Sequence, residues 1–472
     1  MAGAGPQGAE GLRWIDDHDR CAARSASPQG GAVERSDHRQ QEVENLSNSA
    51  ISRSKLSVAV AVHERADTPH SQSDPAHVAP FPQTPLTNDT PSLILAAHPL
   101  IVDRERQERQ KSHSLPTDDP LDPRRQHRVR ATREEMLGQP DAIRRTLEEE
   151  GDATAAIGAA CVKRQIDRVV MVGCGDSLAS AVGVRGMYEH LLGIPCEPLQ
   201  ALDFAYYHHR TVSGRTLVVV LSSSGVTTRA MEALLVARER GALTLGVSNT
   251  PGSPVMTEAD LSVTVHAQRR GWPTQASTAA MAALCHIGLE LARRVHGASA
   301  RIDELDAALH RTPEQVEDVL ARHDATMAAI ADREVERAVY LFCGGGPAYA
   351  CAMFGAAKVK ECVPGHAIAL PLEEYHHYST QRPGDPLFLV APRGPSLARA
   401  SDTALRGRRS GGQVYAVATE GCSTLSELVD VQLELPPVPE VLVPIVYTVP
   451  LQLFAYHASV AKLRRAEKGV SS

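Results

Sequence analysis

The chain repeats itself. Residues 169–172 form a short β-branched run that ends in Gly173-Cys174-Gly175-Asp176-Ser177, and residues 339–342 run in the same way into Gly344-Gly345-Gly346-Pro347, 170 residues later. Residues 217–220 precede Ser222-Ser223-Ser224-Gly225, while residues 387–390 precede Pro392-Arg393-Gly394-Pro395, again 170 apart. Gly241 ahead of the run 243–247 matches Gly411 ahead of 413–417, and Asp260-Leu261-Ser262-Val263 matches Asp430-Val431-Gln432-Leu433 at the same offset of 170. Loops accept insertions readily. Four strand-like runs in one register therefore mean two copies of one unit.

Within each copy, apolar runs of strand length alternate with longer amphipathic stretches, the pattern of an α/β protein. Continuous apolar strands predict parallel sheets covered by helices on both faces, with ligands at the carboxyl ends of the strands. The expected organisation is a first subdomain over 131–295 and a second over 296–472. The second includes a connecting helix at 301–332 and a C-terminal tail. Residues 1–130, rich in Ser, Pro, His, Gln and Arg, read as a disordered extension, because so little apolar area cannot offset chain entropy. A sharper form of that reading starts translation near Val129.

Composition removes several function classes. A net charge of -7 offers no basic footprint for nucleic acid. The nine cysteines are scattered and never form a CxxC pair, which fits a reducing cytoplasm. The candidate apolar runs 56–62 and 93–102 are too short to cross a membrane, and no charged leader precedes an apolar run and cleavage site.

Ser222-Ser223-Ser224-Gly225-Val226-Thr227 follows an apolar strand and precedes an amphipathic run. Free backbone N–H groups and hydroxyls at a helix N-terminus favour an anion such as phosphate; a plain N-capped turn has the same composition. Ser177 supplies another hydroxyl if the neighbouring strand brings its loop alongside. Gly173-Cys174-Gly175 begins like a dinucleotide fingerprint, but Leu178 stands at the third glycine. Lys358 and Glu361, three apart on one helical face, are either a surface ion pair or a proton shuttle. Glu373-Glu374-Tyr375-His376-His377 lacks metal-ligand spacing and reads as a segment with one histidine acting as a ring-opening acid–base, or as a solvated polar loop.

Together with Glu135-Met136, Gln139-Pro140-Asp141-Ala142-Ile143, Gly193-Ile194-Pro195-Cys196, Asn249-Thr250-Pro251-Gly252-Ser253 and Tyr447-Thr448-Val449-Pro450-Leu451-Gln452-Leu453, these segments resemble a known family. It is the isomerase half of the glutamine-fructose 6-phosphate aminotransferases, within the sugar-isomerase (SIS) superfamily, and the resemblance runs from about Glu135 to His457. It implies two tandem SIS subdomains of flavodoxin-like α/β architecture. It places Ser177, Ser222, Ser224 and Thr227 at phosphate-binding positions, with Ser223 where the family commonly has Gln. It makes Glu361 the carboxylate that moves a proton between C1 and C2, Lys358 the lysine beside it, and His377 the ring-opening histidine. Lys468 is the candidate for the family's C-terminal active-site lysine.

The departures carry equal weight. Ala2 follows Met1 and the first cysteine is Cys21, so no glutamine hydrolysis is expected. Trp272-Pro273-Thr274-Gln275 replaces a lysine-containing segment, and Val226 replaces a glutamate. The implied activity is an aldose–ketose isomerase, or an isomerising amino-sugar-phosphate deaminase or aminotransferase, acting on a hexose 6-phosphate. Free ammonia or a separate glutaminase would supply nitrogen for synthesis. No cofactor or metal is called for, and a homodimer is implied. The alternative is a non-enzymatic sugar-phosphate sensor.

Overall fold

In the computed structural model, which describes residues 98–112, 117–378 and 381–470, the repeat becomes two parallel five-stranded sheets. The expected disorder of residues 1–97 lies outside the described residues. Among helices of seven residues or more, four come before the first sheet: α1 (Pro99–Ser112), α2 (Pro123–Leu137), α3 (Gln139–Glu149) and α4 (Gly151–Arg164). The first unit continues as β1 (Arg168–Gly173), α5 (Asp176–Leu192), β2 (Cys196–Gln200), β3 (Thr216–Leu221), α6 (Thr228–Glu239), β4 (Leu243–Ser248), β5 (Leu261–Thr264) and α7 (Gln275–His296). After α8 (Ala300–His310) and α9 (Thr312–Glu334) comes the second unit. It runs β6 (Val339–Gly344), α10 (Ala348–Cys362), β7 (His366–Pro371), α11 (Leu372–Tyr378), β8 (Pro386–Ala391), α12 (Leu397–Arg409), β9 (Gln413–Thr419), β10 (Val431–Leu435) and α13 (Val449–Val470).

The strand orders are β2-β1-β3-β4-β5 and β10-β9-β8-β6-β7, one the reverse of the other once each strand is replaced by its counterpart. Every pair is parallel. This is the flavodoxin-like order, with its switch point between the first and third strands of each unit. The register refines the sequence repeat. Val170 pairs with Val218 and Leu341 with Leu387, which are 171 and 169 residues apart in the two copies, whereas β4 and β5 keep the offset of 170. The second copy is two residues shorter between the paired positions of its first and third strands and one residue longer between its third and fourth.

The duplicated Asp has a physical reason. Asp260 Oδ2 accepts the Thr244 N–H at 2.9 Å, and Asp430 Oδ2 accepts the Val414 N–H at 2.7 Å, so each carboxylate ties the start of the fifth strand to the fourth. Gly241 and Gly411, three residues before those amides, both have φ of +76°, the left-handed region that glycine enters freely.

Strands β3, β4 and β8 are buried along their whole length, as expected of a sheet covered on both faces. The counterpart helices α5 and α10 meet between the two units, and a Cβ on Gly183 would lie 3.1 Å from the Ala350 methyl. The helical run Glu440–Gly469 is long and apolar enough to cross a bilayer, but 89% of its most apolar window is buried inside the protein.

Two expectations are corrected. Ordered structure does not begin near Val129: α1 and most of α2 occupy residues assigned to the disordered extension. Asp122, whose side chain accepts the Arg124 N–H, caps α2, and Pro123 opens it. The connecting helix at 301–332 is two helices, broken at Arg311 before Pro313 in the first turn of α9.

Candidate functional site

Two turns converge at the switch point of the first sheet. After β1, Gly173 lets α5 start close by, since a Cβ there would lie 2.6 Å from the Ser177 Cβ; Gly175 takes φ of +57°. After β3, Gly225 takes φ of +62°, and a Cβ on it would lie 1.9 Å from Ser253 Oγ. The turn then folds its hydroxyls together. Ser222 Oγ and Thr227 Oγ1 are 3.0 Å apart, Ser224 Oγ is 3.5 Å from Thr227 Oγ1, and Ser224 Oγ accepts the Val226 N–H at 3.3 Å. Ser223 Oγ donates to Asn249 Oδ1 at 2.6 Å, and Asn249 Nδ2 donates to the Ala267 carbonyl, which fixes the turn to the end of β4. Thr227 is the N-cap of α6, so the hydroxyl cluster stands at the positive end of a twelve-residue helix.

A cavity of about 250 Å³ opens over these turns. Its lining includes all five expected phosphate-site residues, Ser177, Ser222, Ser223, Ser224 and Thr227, and also Glu361. Glu361 comes from the other unit, on α10. One turn back, Lys358 is no surface lysine: its side chain is 1% exposed. Its ammonium lies 2.5 Å from Glu361 Oε2 and 2.6 Å from Asp176 Oδ2. Asp176 also accepts a bond from Ser277 Oγ at 3.4 Å.

Burial alone would weaken the hold of Lys358 on its proton, but Asp176 and Glu361 outweigh it and keep the group an ammonium. Glu361 is also shifted upward, which for a carboxyl favours the neutral form. Burial raises its proton affinity, Lys358 only partly opposes this, and the Asp176 charge adds to it. A carboxyl held above its ordinary range is a stronger base when ionised.

Helix α2 closes the site from behind. Arg125 donates to the Cys362 carbonyl at 2.9 Å and the Glu361 carbonyl at 3.3 Å, capping the end of α10. Arg125 and Arg128 lie over the Trp272 ring at 5.3 and 4.8 Å. Glu135, 1% exposed, accepts the Arg270 and Gly271 amides, and Thr132 Oγ1 accepts the Trp272 amide at 2.8 Å. The Trp272 segment, a departure from the family pattern, is thus strapped to α2. On the outer side, α1 packs against α6, where Glu108 Oε1 accepts the Thr228 N–H at 3.1 Å and Glu105 pairs with Arg229 at 2.7 Å.

His377 and Lys468 are not brought to this cavity. The His377 side chain is 67% exposed on α11, with Glu373 3.8 Å away, and Lys468 is exposed in the last turn of α13. The residues to which the sequence reading assigned no role in the site are Asp176, Asn249, Arg269 and Ser277, all in the lining, with Arg125 and Glu135 behind it. Asp122-Pro123 was the available signal for α2; nothing local signals the pairing of Asp176 with a lysine 182 positions away. In the second unit the equivalent turn, Pro392-Arg393-Gly394-Pro395-Ser396, keeps a hydroxyl only at its last residue, the N-cap of α12, and Glu440 Oε1 lies 3.3 Å from where a Cβ on Gly394 would be. Among the described residues, no three His, Cys, Asp or Glu side chains are grouped to hold a metal ion.

A sequence profile of the SIS domain matches residues 164–290 and 336–462, more than half of the chain. The glutamine–fructose-6-phosphate aminotransferase (isomerizing) of Thermus thermophilus is 33% identical over 339 residues, 69% of this chain and 55% of that protein. The chain spans about half the length of the curated relatives it matches. The solved C-terminal domain of glucosamine-fructose-6-phosphate aminotransferase from Francisella tularensis superposes with a TM-score of 0.64 at 23% identity, covering 70% of this chain and 96% of that one. Glucosamine-6-phosphate deaminase from Thermotoga maritima gives 0.53 at 19%, covering 70% and 94%. At these identities the two structures speak for the fold.

Proposed function

The chain belongs to the SIS domain family, and on that premise we propose that it is an enzyme acting on a hexose 6-phosphate. The reaction is aldose–ketose isomerisation, or the isomerising removal or addition of an amino group. The observation that carries this reading is that one cavity is lined both by the hydroxyl turn at the start of α6 and by the Glu361 carboxylate from the opposite unit.

The phosphate is held by Ser177, Ser222, Ser223, Ser224 and Thr227, with the α6 dipole behind them. That anchors one end of the sugar and turns the reacting carbons toward Glu361. Glu361 takes the proton from one of C1 and C2 and returns it to the other, a role worth roughly 10²–10⁴ in rate. Lys358 orients Glu361 and remains charged. The names of the similar proteins, an aminotransferase and a deaminase, support an amino-sugar substrate. His377 and Lys468, outside the cavity of this chain, have no part in the reading. Homodimerisation, and a separate glutaminase as the source of ammonia, belong to the same proposal.

The test is NMR in heavy water with fructose 6-phosphate, glucosamine 6-phosphate and their galacto epimers. Deuterium entering C1 or C2 with the wild type, and not with Glu361→Gln, is the expected result. Stabilisation of the fold by one of these sugars with no exchange of any would overturn catalysis in favour of a sensor.

A further inference from the structure

We propose that Asp176 is a positioning residue for the proton-transfer pair: it takes one N–H of the buried Lys358 ammonium, so that Glu361 keeps only a share of that charge. Three observations carry this. The two carboxylates approach the same nitrogen at 2.6 and 2.5 Å, from helices of different units. Lys358 is 1% exposed, so no water substitutes for either partner. Ser277 Oγ, 3.4 Å from the same Asp176 oxygen, holds that carboxylate in place from α7.

The consequence is electrostatic. One ammonium between two carboxylates leaves a net negative charge in a confined site, and a like charge nearby favours the protonated form of a carboxyl. The other groups around Glu361 do not replace Asp176. Arg128 faces it from α2 and opposes protonation, while Arg125 is committed to the Glu361 and Cys362 carbonyls. Glu135, also on α2, acts on Lys358, and Arg269 lines the cavity from the segment before α7. Without Asp176, Lys358 turns wholly to Glu361 and holds it ionised. Such a carboxylate is a poorer base and is not available as an acid.

The measurement uses Asp176→Asn, nearly isosteric, with Asp176→Ser as a second uncharged variant should the first not fold. In ligand-free protein labelled at the glutamate carboxyl carbon, with Glu361→Gln identifying the signal, the Glu361 titration moves to lower pH in either variant. An unmoved titration overturns the proposal. A second arm rests on the proposed function: in the exchange assay, Asp176→Asn moves the acid limb of the pH profile to lower pH and lowers the rate near neutrality roughly tenfold. A loss equal at every pH, with the limb in place, would mean that Asp176 only supports the fold. If the wild type exchanges none of the sugars, the functional reading fails, and the carboxyl titration still decides the role of Asp176.

Discussion

Replacing Lys358 by Met deletes the buried ammonium and keeps the length of the stem. Asp176 and Glu361, 2.6 and 2.5 Å from the lost nitrogen, are then left as two carboxylates with no counter-charge between them. Removing one partner of a buried ion pair costs about 3–5 kcal/mol. The Asp176 and Glu361 side chains keep 15% and 35% of their surface, so water and proton uptake return part of that, and a loss of about 3 kcal/mol is expected. The pH dependence has a definite sign. In the variant, one carboxyl binds its proton more tightly folded than unfolded. Below the unfolded value, about 4–4.5, it is protonated in both states and the deficit is smallest; the deficit grows as pH rises through the folded value, then levels off. Denaturant or thermal unfolding of wild type and Lys358→Met at pH 5 and pH 8 reads this directly, with the larger gap at pH 8. Adding Asp176→Asn to Lys358→Met should recover most of the loss. Equal gaps at the two pH values, or no gap, would refute the shared-ammonium arrangement.

Other outcomes follow from the same geometry. Ser222→Ala and Thr227→Val should each reduce the thermal stabilisation given by inorganic phosphate, whereas Glu361→Gln should leave it intact. Gly225→Ala combines a left-handed φ with contact at 1.9 Å to Ser253 Oγ; it should lower stability by more than the 1–2 kcal/mol typical of that conformation and weaken phosphate binding, read by melting with and without phosphate. Glu108→Gln removes a carboxylate from the Thr228 amide at the start of α6 and should raise phosphate affinity a few fold in calorimetry. Asp430→Ala leaves the Val414 amide without its partner and should destabilise the second sheet by about 1–3 kcal/mol, measured by hydrogen exchange in β9.

The two-unit fold was legible because its central strands are buried on both faces. A strand shielded on both sides cannot alternate polar with apolar residues, so β3 and β8 stand out in the sequence as continuous apolar runs. The hydroxyl turn was legible for a related reason: a cluster built from consecutive residues leaves a local trace. The constant offset hid a shift of one residue at β1 and β3, because the Gly-rich turns look alike in either alignment. Helix α2 went unread because its buried face includes Arg125, Thr132 and Glu135, whose polar groups are satisfied by backbone far away in sequence. Asp176 was visible only as part of a Gly-rich turn. Its meaning lies in a contact across the interface of the two units, which no spacing within either unit encodes. His377 is the converse case: resemblance suggested a chemistry for it, and its exposed position on α11 separates it from the cavity of its own chain.

The meeting of α5 with α10 has a consequence for how such a chain could arise. With β1 and β6 171 residues apart, the first-unit counterparts of Lys358 and Glu361 are Met187 and His190, and the second-unit counterpart of Asp176 is Pro347. One copy has the hydroxyl turn and no lysine–glutamate pair; the other has the pair, and a turn in which Ala391, Pro392 and Arg393 stand for Ser222, Ser223 and Ser224, under the Glu440 carboxylate. Two identical copies joined face to face would have carried every part twice. In this chain neither half can be exchanged for a second copy of the other without losing one of these parts.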